Sequence, residues 1–214
     1  MKKAFIAILV ILTVFSASVF ADEGFENYSG LSIGFGFSKV KYSNSNDVFD
    51  KRVGTDLQES SNPLVISLTD YAILENSPIG IYGDIGLTIP LNFKEENSKS
   101  DNGVGGIFLG VGPAFKLEVS KDAALLIGAG FHFQMTSKTN GDNYRMERMY
   151  FGAGADIQAS YKLGKKFAIA LGASGSYFFA NYSRLVTLNN SYNKSLSKYS
   201  EFRVVPKISG YYVY

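Results

Sequence analysis

The stretch IGIYGDIGLTIPLNF, Ile79 to Phe93, decides the fold. Its odd positions are Ile79, Ile81, Gly83, Ile85, Leu87, Ile89, Leu91 and Phe93; its even positions are Gly80, Tyr82, Asp84, Gly86, Thr88, Pro90 and Asn92. A period of two belongs to a β-strand, whose side chains point alternately to opposite faces. One face is therefore almost wholly aliphatic, and the other carries tiny residues, one carboxylate and one phenol. A strand face that meets water usually carries Lys, Glu, Thr and Gln. Interior glycine weakens a strand through entropy and lost packing, so it suits an open wet surface poorly. It suits a concave wall, where facing strands leave little room. The sequence thus reads as inverted relative to a soluble sheet, with the aliphatic phase turned out to lipid and the glycine-rich phase turned in to a narrow lumen.

The same alternation recurs along the chain. It appears in GLSIGFGFSKV (Gly30–Val40), VGGIFLGVGPAFKLEV (Val104–Val119), AALLIGAGFHFQM (Ala123–Met135), MYFGAGADIQASYKL (Met149–Leu163), FAIALGASGSYFF (Phe167–Phe179) and EFRVVPKISGYYVY (Glu201–Tyr214). PLVISLTDYAIL (Pro63–Leu74) can be read in either phase. This gives eight strands of roughly 10–14 residues, enough to cross a bilayer at a tilt. Long polar connections occupy Tyr42–Asn62, Lys94–Gly103, Thr136–Glu147 and Asn181–Ser200, and short ones occupy Glu75–Pro78, Ser120–Asp122 and Gly164–Lys166. Alternation of long and short places all four long loops at one end of an up-and-down meander, with both termini at the other. In hydrocarbon an unpaired backbone group costs several kcal/mol, so such a sheet must close on itself. Eight strands leave an interior just wide enough for side chains to fill. Tyr28, Tyr71, Phe93, Tyr150, Tyr161, Phe167, Tyr177, Phe179, Phe202, Tyr212 and Tyr214 cluster near strand ends, as expected for two interfacial aromatic girdles. Pro90, Pro113 and Pro206 fall inside strands, where each removes a ladder donor. Pro90 is expected near the loop-end rim, at a bulge; the pattern offers no reason for the other two.

The N-terminus opens with Lys2 and Lys3, continues with an apolar run from Ala4 to Phe15 and closes on small residues up to Ala21. This is the pattern of a cleaved signal peptide over residues 1–21, followed by a barrel over 22–214. Loss of Lys2 and Lys3 takes Lys+Arg from 21 to 19 (21 − 2), against 19 Asp+Glu. A near-neutral chain favours neither nucleic acid nor anionic surfaces. The absence of cysteine excludes disulfides, thiolate metal sites and a cysteine nucleophile.

The inward phase carries Asp84, Lys116, Glu118, His132, Gln134, Asp156, Lys162, Arg203 and Lys207. Charges inside a narrow barrel must be paired or solvated, so this set reads as a salt-bridged plug in preference to a selectivity lining. Asp84, Lys116, Asp156 and Lys207 are expected at similar depth, toward the short-turn end. His132 is the only histidine and cannot by itself form a zinc site. It sits in His132-Phe133-Gln134, which lacks a nucleophile two residues on, so it reads as interior filler. GVGGIFLGVG (Gly103–Gly112) has no strand-to-helix turn, Lys or Ser/Thr to complete a phosphate loop. RMER (Arg145–Arg148) at a loop edge reads as a solvated face before it reads as a contact for anionic head groups. No catalytic residue, metal site or cofactor is expected.

With its leader, eight alternating strands, long loops at one end and terminal YYVY (Tyr211–Tyr214), the chain resembles the small outer-membrane barrels of the OmpX, OmpW and OmpA transmembrane-domain type. The resemblance covers Asp22–Tyr214 and is architectural. It implies an all-β, eight-stranded antiparallel up-and-down transmembrane β-barrel, integral to the outer membrane and monomeric. It also implies that the closing strand, through Ile208, Tyr212 and Tyr214, is the signal read by the barrel-insertion machinery. The partners it implies are the bilayer and its outer-membrane lipids, with the loops open to a host or environmental ligand. The implied function is non-enzymatic, either membrane stabilisation or surface interaction through four long extracellular loops. The alternative is an OmpW-like narrow channel for small or apolar solutes, and a lipid A-modifying enzyme stands behind both.

Overall fold

The computed structural model describes residues 24–42, 58–95, 105–140, 144–187, 191–194 and 199–214. The expected leader and most of the first two long loops lie outside them. Every regular element among the described residues is a strand: β1 Phe25–Phe35, β2 Phe37–Tyr42, β3 Gln58–Leu74, β4 Ile79–Glu95, β5 Gly105–Glu118, β6 Ala123–Asn140, β7 Tyr144–Lys162, β8 Phe167–Thr187, β9 Ser191–Lys194 and β10 Tyr199–Val213. β1 and β2 form one stave interrupted at Gly36, and β9 is a short extension paired to the outer end of β8. Eight staves remain, antiparallel throughout, and β10 closes the sheet by pairing with β8 on one side and with β1 and β2 on the other.

The stagger of the closed sheet follows from the register. Partners run from Ser29 to Asp70, Gly83, Val111, Phe131, Ala153, Tyr177, Phe202 and back to Lys39 on the starting stave, ten residues along (39 − 29). Strand number and stagger together fix tilt and bore.

The phase assignment is as read from the sequence. Leu31, Ile33, Phe35, Ile81, Leu109, Phe131, Ile157, Ile169, Leu171, Phe202 and Ile208 are exposed on the outer face. Val65, Ser67, Thr69, Tyr71 and Ile73 resolve the ambiguous β3 by facing inward and buried. A closed sheet with a continuous aliphatic exterior is stable in hydrocarbon and not in water.

The prolines each spoil one rung on one side. Pro63 and Pro90 face each other at the β3–β4 irregularity, so two residues without an N–H share one defect. Pro113 pairs with Ile81 of β4, while the β5–β6 ladder skips from Val111↔Phe131 to Ala114↔Gly128. Pro206 pairs with Ala173 of β8, and on its other side the β1 ladder ends at Gly34↔Lys207 and resumes in β2 at Phe37↔Val204. The same register runs through the break and places Phe35 opposite Pro206 and Gly36 opposite Val205, and the Gly36 N–H donates instead to the Pro63 carbonyl at 2.7 Å.

Two of the four long connections differ from expectation. β6 and β7 stay paired through Asn140↔Tyr144, so most of Thr136–Glu147 is a hairpin arm. β8 runs to Thr187 and pairs with β9 inside Asn181–Ser200. Polar composition concealed the strand in both places, because an arm beyond the membrane has no aliphatic face to display. The short turns match closely: Val119 N donates to Ala123 O at 2.9 Å and Leu163 N to Phe167 O at 2.8 Å.

Candidate functional site

The inward residues of β10 (Glu201, Arg203, Val205, Lys207, Ser209, Tyr211 and Val213) are all buried and give an axis along which the lumen can be followed. The lumen is filled by side chains in successive layers.

At the short-turn mouth, Glu26 accepts hydrogen bonds from Lys116 and, at 2.6 Å, from Lys162. Tyr28 donates to the same carboxylate at 3.1 Å, with both ammonium groups about 6 Å above its ring (6.0 and 5.9 Å). Lys116 also reaches Glu118 at 2.7 Å, but the Glu118 side chain is 73% exposed, so it belongs to the rim and not to the lumen. Lys116 is not level with Asp84, as the sequence suggested. Asp84 faces Gly110 on β5, and Lys116 lies six residues nearer the turn. Above the mouth, Tyr28, Tyr71, Tyr82 and Tyr211 form a buried ring cluster, with centroid separations of 6.2 Å (Tyr28–Tyr211), 6.4 Å (Tyr71–Tyr211) and 5.4 Å (Tyr71–Tyr82). Tyr28, Tyr71 and Tyr150 thus face inward and do not belong to the outer girdles.

The next layer is ionic. Lys207 Nζ lies 2.6 Å from Asp156 and 3.3 Å from Asp84, with all three side chains at most 3% exposed. Asp156 also accepts from the Tyr71 hydroxyl and from the Gln158 amide at 2.8 Å, and Thr69 donates to Asp84 at 3.0 Å. Ser32 bridges Thr69 and Ser209 at 2.8 and 2.7 Å. A cation set against one oxygen of each of two carboxylates, with further donors on the other oxygen, is how a buried charge set becomes tolerable. Toward the loop end, His132 Nδ1 meets Ser176 Oγ at 2.8 Å. Beyond it Arg203 donates to Gln134 at 2.5 Å and lies over Phe108 and Phe178, at 5.1 and 5.5 Å from the ring centroids. Arg148 of the RMER segment is buried, so at this position the segment is not the solvated face expected.

The aromatic packing explains the glycines. A Cβ at Gly128 would lie 2.4 Å from Tyr82 Cγ, and one at Gly154 would lie 2.4 Å from the His132 ring. These glycines are the imprint of two rings lying along the wall, Tyr82 of β4 against β6 and His132 of β6 against the neighbouring β7.

Several participants escaped the sequence reading: Glu26, Ser176, Tyr211 and, on the outer face, Asp70. Extending the even phase of β1 back from Ser32 reaches Tyr28 and Glu26, so that signal was present. Asp70 is unusual because it points to lipid. Ser29 donates to it at 2.9 Å and lies 3.2 Å from the Tyr214 hydroxyl. Its place in the outward phase is what blurred β3. A serine beside an imidazole is the arrangement that activates a nucleophile, but His132 and Ser176 are 3% and 4% exposed, which leaves no approach for a substrate. Among the described residues no group of three or more acidic or histidine side chains converges on a metal-sized site. Ile208 and Tyr212 on β10, and Tyr214 one residue beyond its end, are all exposed.

No protein-family model matches the chain, and no curated protein matches it. Solved structures do. The outer membrane protein AlkL, determined in DMPC lipid bilayers, is 15% identical with a TM-score of 0.53, covering 87% of this chain and 90% of that one. OprG of Pseudomonas aeruginosa is 11% identical with a TM-score of 0.53, covering 89% and 96%. A major outer membrane protein of Thermus thermophilus is 10% identical with a TM-score of 0.50, covering 87% and 99%. At these identities the likeness is one of fold. A closed sheet of eight staves, an aliphatic exterior and this shared architecture together make the chain a small eight-stranded integral barrel of the outer membrane.

Proposed function

We propose that this barrel is a non-enzymatic, non-conducting membrane scaffold, and that its work is done at the long-loop end by stabilising the membrane or contacting surface ligands. The observation that carries this reading is the Asp84–Lys207–Asp156 layer, 3% exposed or less, stacked on the four buried tyrosines. A conducting lumen would keep such charges in contact with water. Asp84, His132, Gln134, Asp156, Arg203 and Lys207 act as an interior polar plug, and Lys116 and Lys162 close the short-turn mouth through Glu26. Scaffolds of this kind usually carry specificity in loops, and the extended β6–β7 and β8–β9 arms would hold those loops clear of the bilayer. Ile208, Tyr212 and Tyr214 serve as the assembly signal, presented by the strand that also closes the sheet. The monomer is the working unit.

Planar-bilayer recording of the purified barrel tests the reading. Silence at all voltages is expected; steady unitary currents would replace the plug with the narrow channel.

A further inference from the structure

Tyr82 Oη and His132 Nε2 are among the buried polar atoms that have no hydrogen-bond partner among the described residues. Tyr82 is fully buried and His132 is 3% exposed. Buried donors and acceptors are seldom left unmatched, because neither water nor protein then compensates their desolvation. The two atoms also converge. A Cβ placed on Gly110 would lie 2.9 Å from Tyr82 Oη and 3.0 Å from His132 Nε2, so both groups aim at the same glycine. Their rings run nearly parallel, with an interplanar angle of 29° and centroids 6.4 Å apart. His132 Nδ1 is already committed to Ser176, which leaves Nε2 as the one unmatched polar atom of the imidazole.

We infer that the cradle above Gly110 binds one resident water molecule, held by Tyr82 Oη and His132 Nε2. The inference rests on the filled lumen argued above. Water fits because it can donate and accept at once. With Nδ1–H donating to Ser176, Nε2 accepts from the water and the phenol donates to it; with the other tautomer, Nε2–H donates and the Ser176 hydroxyl donates to Nδ1. An internal water needs two or more polar partners, and these two supply the minimum. A metal ion would need further ligands, and none converges there among the described residues. The bound water would join the tyrosine cluster to the His132–Ser176 pair.

The chain has a single histidine, so 15N-histidine labelling yields one imidazole. In barrels reconstituted into lipid bilayers, water-edited solid-state NMR should show rapid transfer from water protons to the His132 imidazole. Gly110→Ala puts a methyl between the two polar atoms and should abolish most of that transfer. Gly83→Ala, on the lipid face with nothing within 4 Å of the added carbon, should leave it unchanged. Tyr82→Phe removes one of the two partners and should shift the Nε2 resonance and weaken the transfer; it decides the matter if Gly110→Ala does not assemble. A dry imidazole in the wild type, or transfer indifferent to both inward substitutions, overturns the inference. Ionic current together with indifferent transfer would instead mean bulk water in an open lumen, and the closed-scaffold reading would fall with it.

Discussion

At the scale of single residues, glycine is explained by what lies opposite it. Gly128 and Gly83 are both strand glycines, yet one faces Tyr82 at a clashing distance and the other faces open space. Gly128→Ala is therefore expected to lower stability by about 1–3 kcal/mol, as overpacking of a filled interior does. Gly83→Ala should be neutral or stabilising by up to about 1 kcal/mol, because it only reduces backbone freedom. Urea midpoints of the two variants, read in the same lipid, check the pair. Lys207 carries a larger effect. Its removal as Lys207→Met strands two buried carboxylates, and a loss of about 3–5 kcal/mol is expected by the same titration. Asp70 has the opposite sign. It lies four residues from the end of β3 and points outward, which puts it about 10 Å in from the short-turn end at a rise of ~3.3 Å per residue and a tilt of ~40°. A carboxyl facing hydrocarbon is destabilising, so Asp70→Leu should raise barrel stability by about 1 kcal/mol.

At the scale of elements, the hairpin arms are the main departure from the sequence reading. Period two is visible only when the two faces meet different media. Inside the bilayer they do, which is why β4 could be phased from fifteen residues (Ile79–Phe93). Outside it both faces meet water, the alternation vanishes, and paired strand looks like polar loop. Hydrogen exchange separates the two descriptions. The β6–β7 amides near Ser137↔Glu147 should exchange far more slowly than an unpaired loop would, although they lie in the segment that composition assigned to a loop. Fast exchange there would restore the loop. Pro113 and Pro206 had no reason in the sequence because the defect each one occupies is a property of a neighbouring strand. Register becomes visible only once β10 has closed on β1 and β2.

At the scale of the whole molecule, fold and orientation were legible because membrane and lumen impose opposite demands on alternate residues. The interior charges were legible in part: phase places Asp84, His132, Asp156, Arg203 and Lys207 on the inward face, where all five are buried, but Glu201 and Arg148 are buried as well and were not read there. Their pairing was not legible, because partners such as Glu26–Lys162 and His132–Ser176 come from staves far apart in the chain and depend on stagger. Buried tyrosines read as girdle residues in the sequence because an aromatic near a strand end fits either face unless its parity is followed strictly. The claim beneath all of this is that the aliphatic phase faces acyl chains and the glycine-rich phase faces a packed lumen. The chain has no native cysteine, so single-cysteine spin labels at Leu109 and Ile127 report on it without background. In bilayers, both labels should collide readily with dissolved oxygen and hardly at all with a water-soluble nickel chelate. Equal or greater access for the aqueous reagent at these two positions would contradict the account.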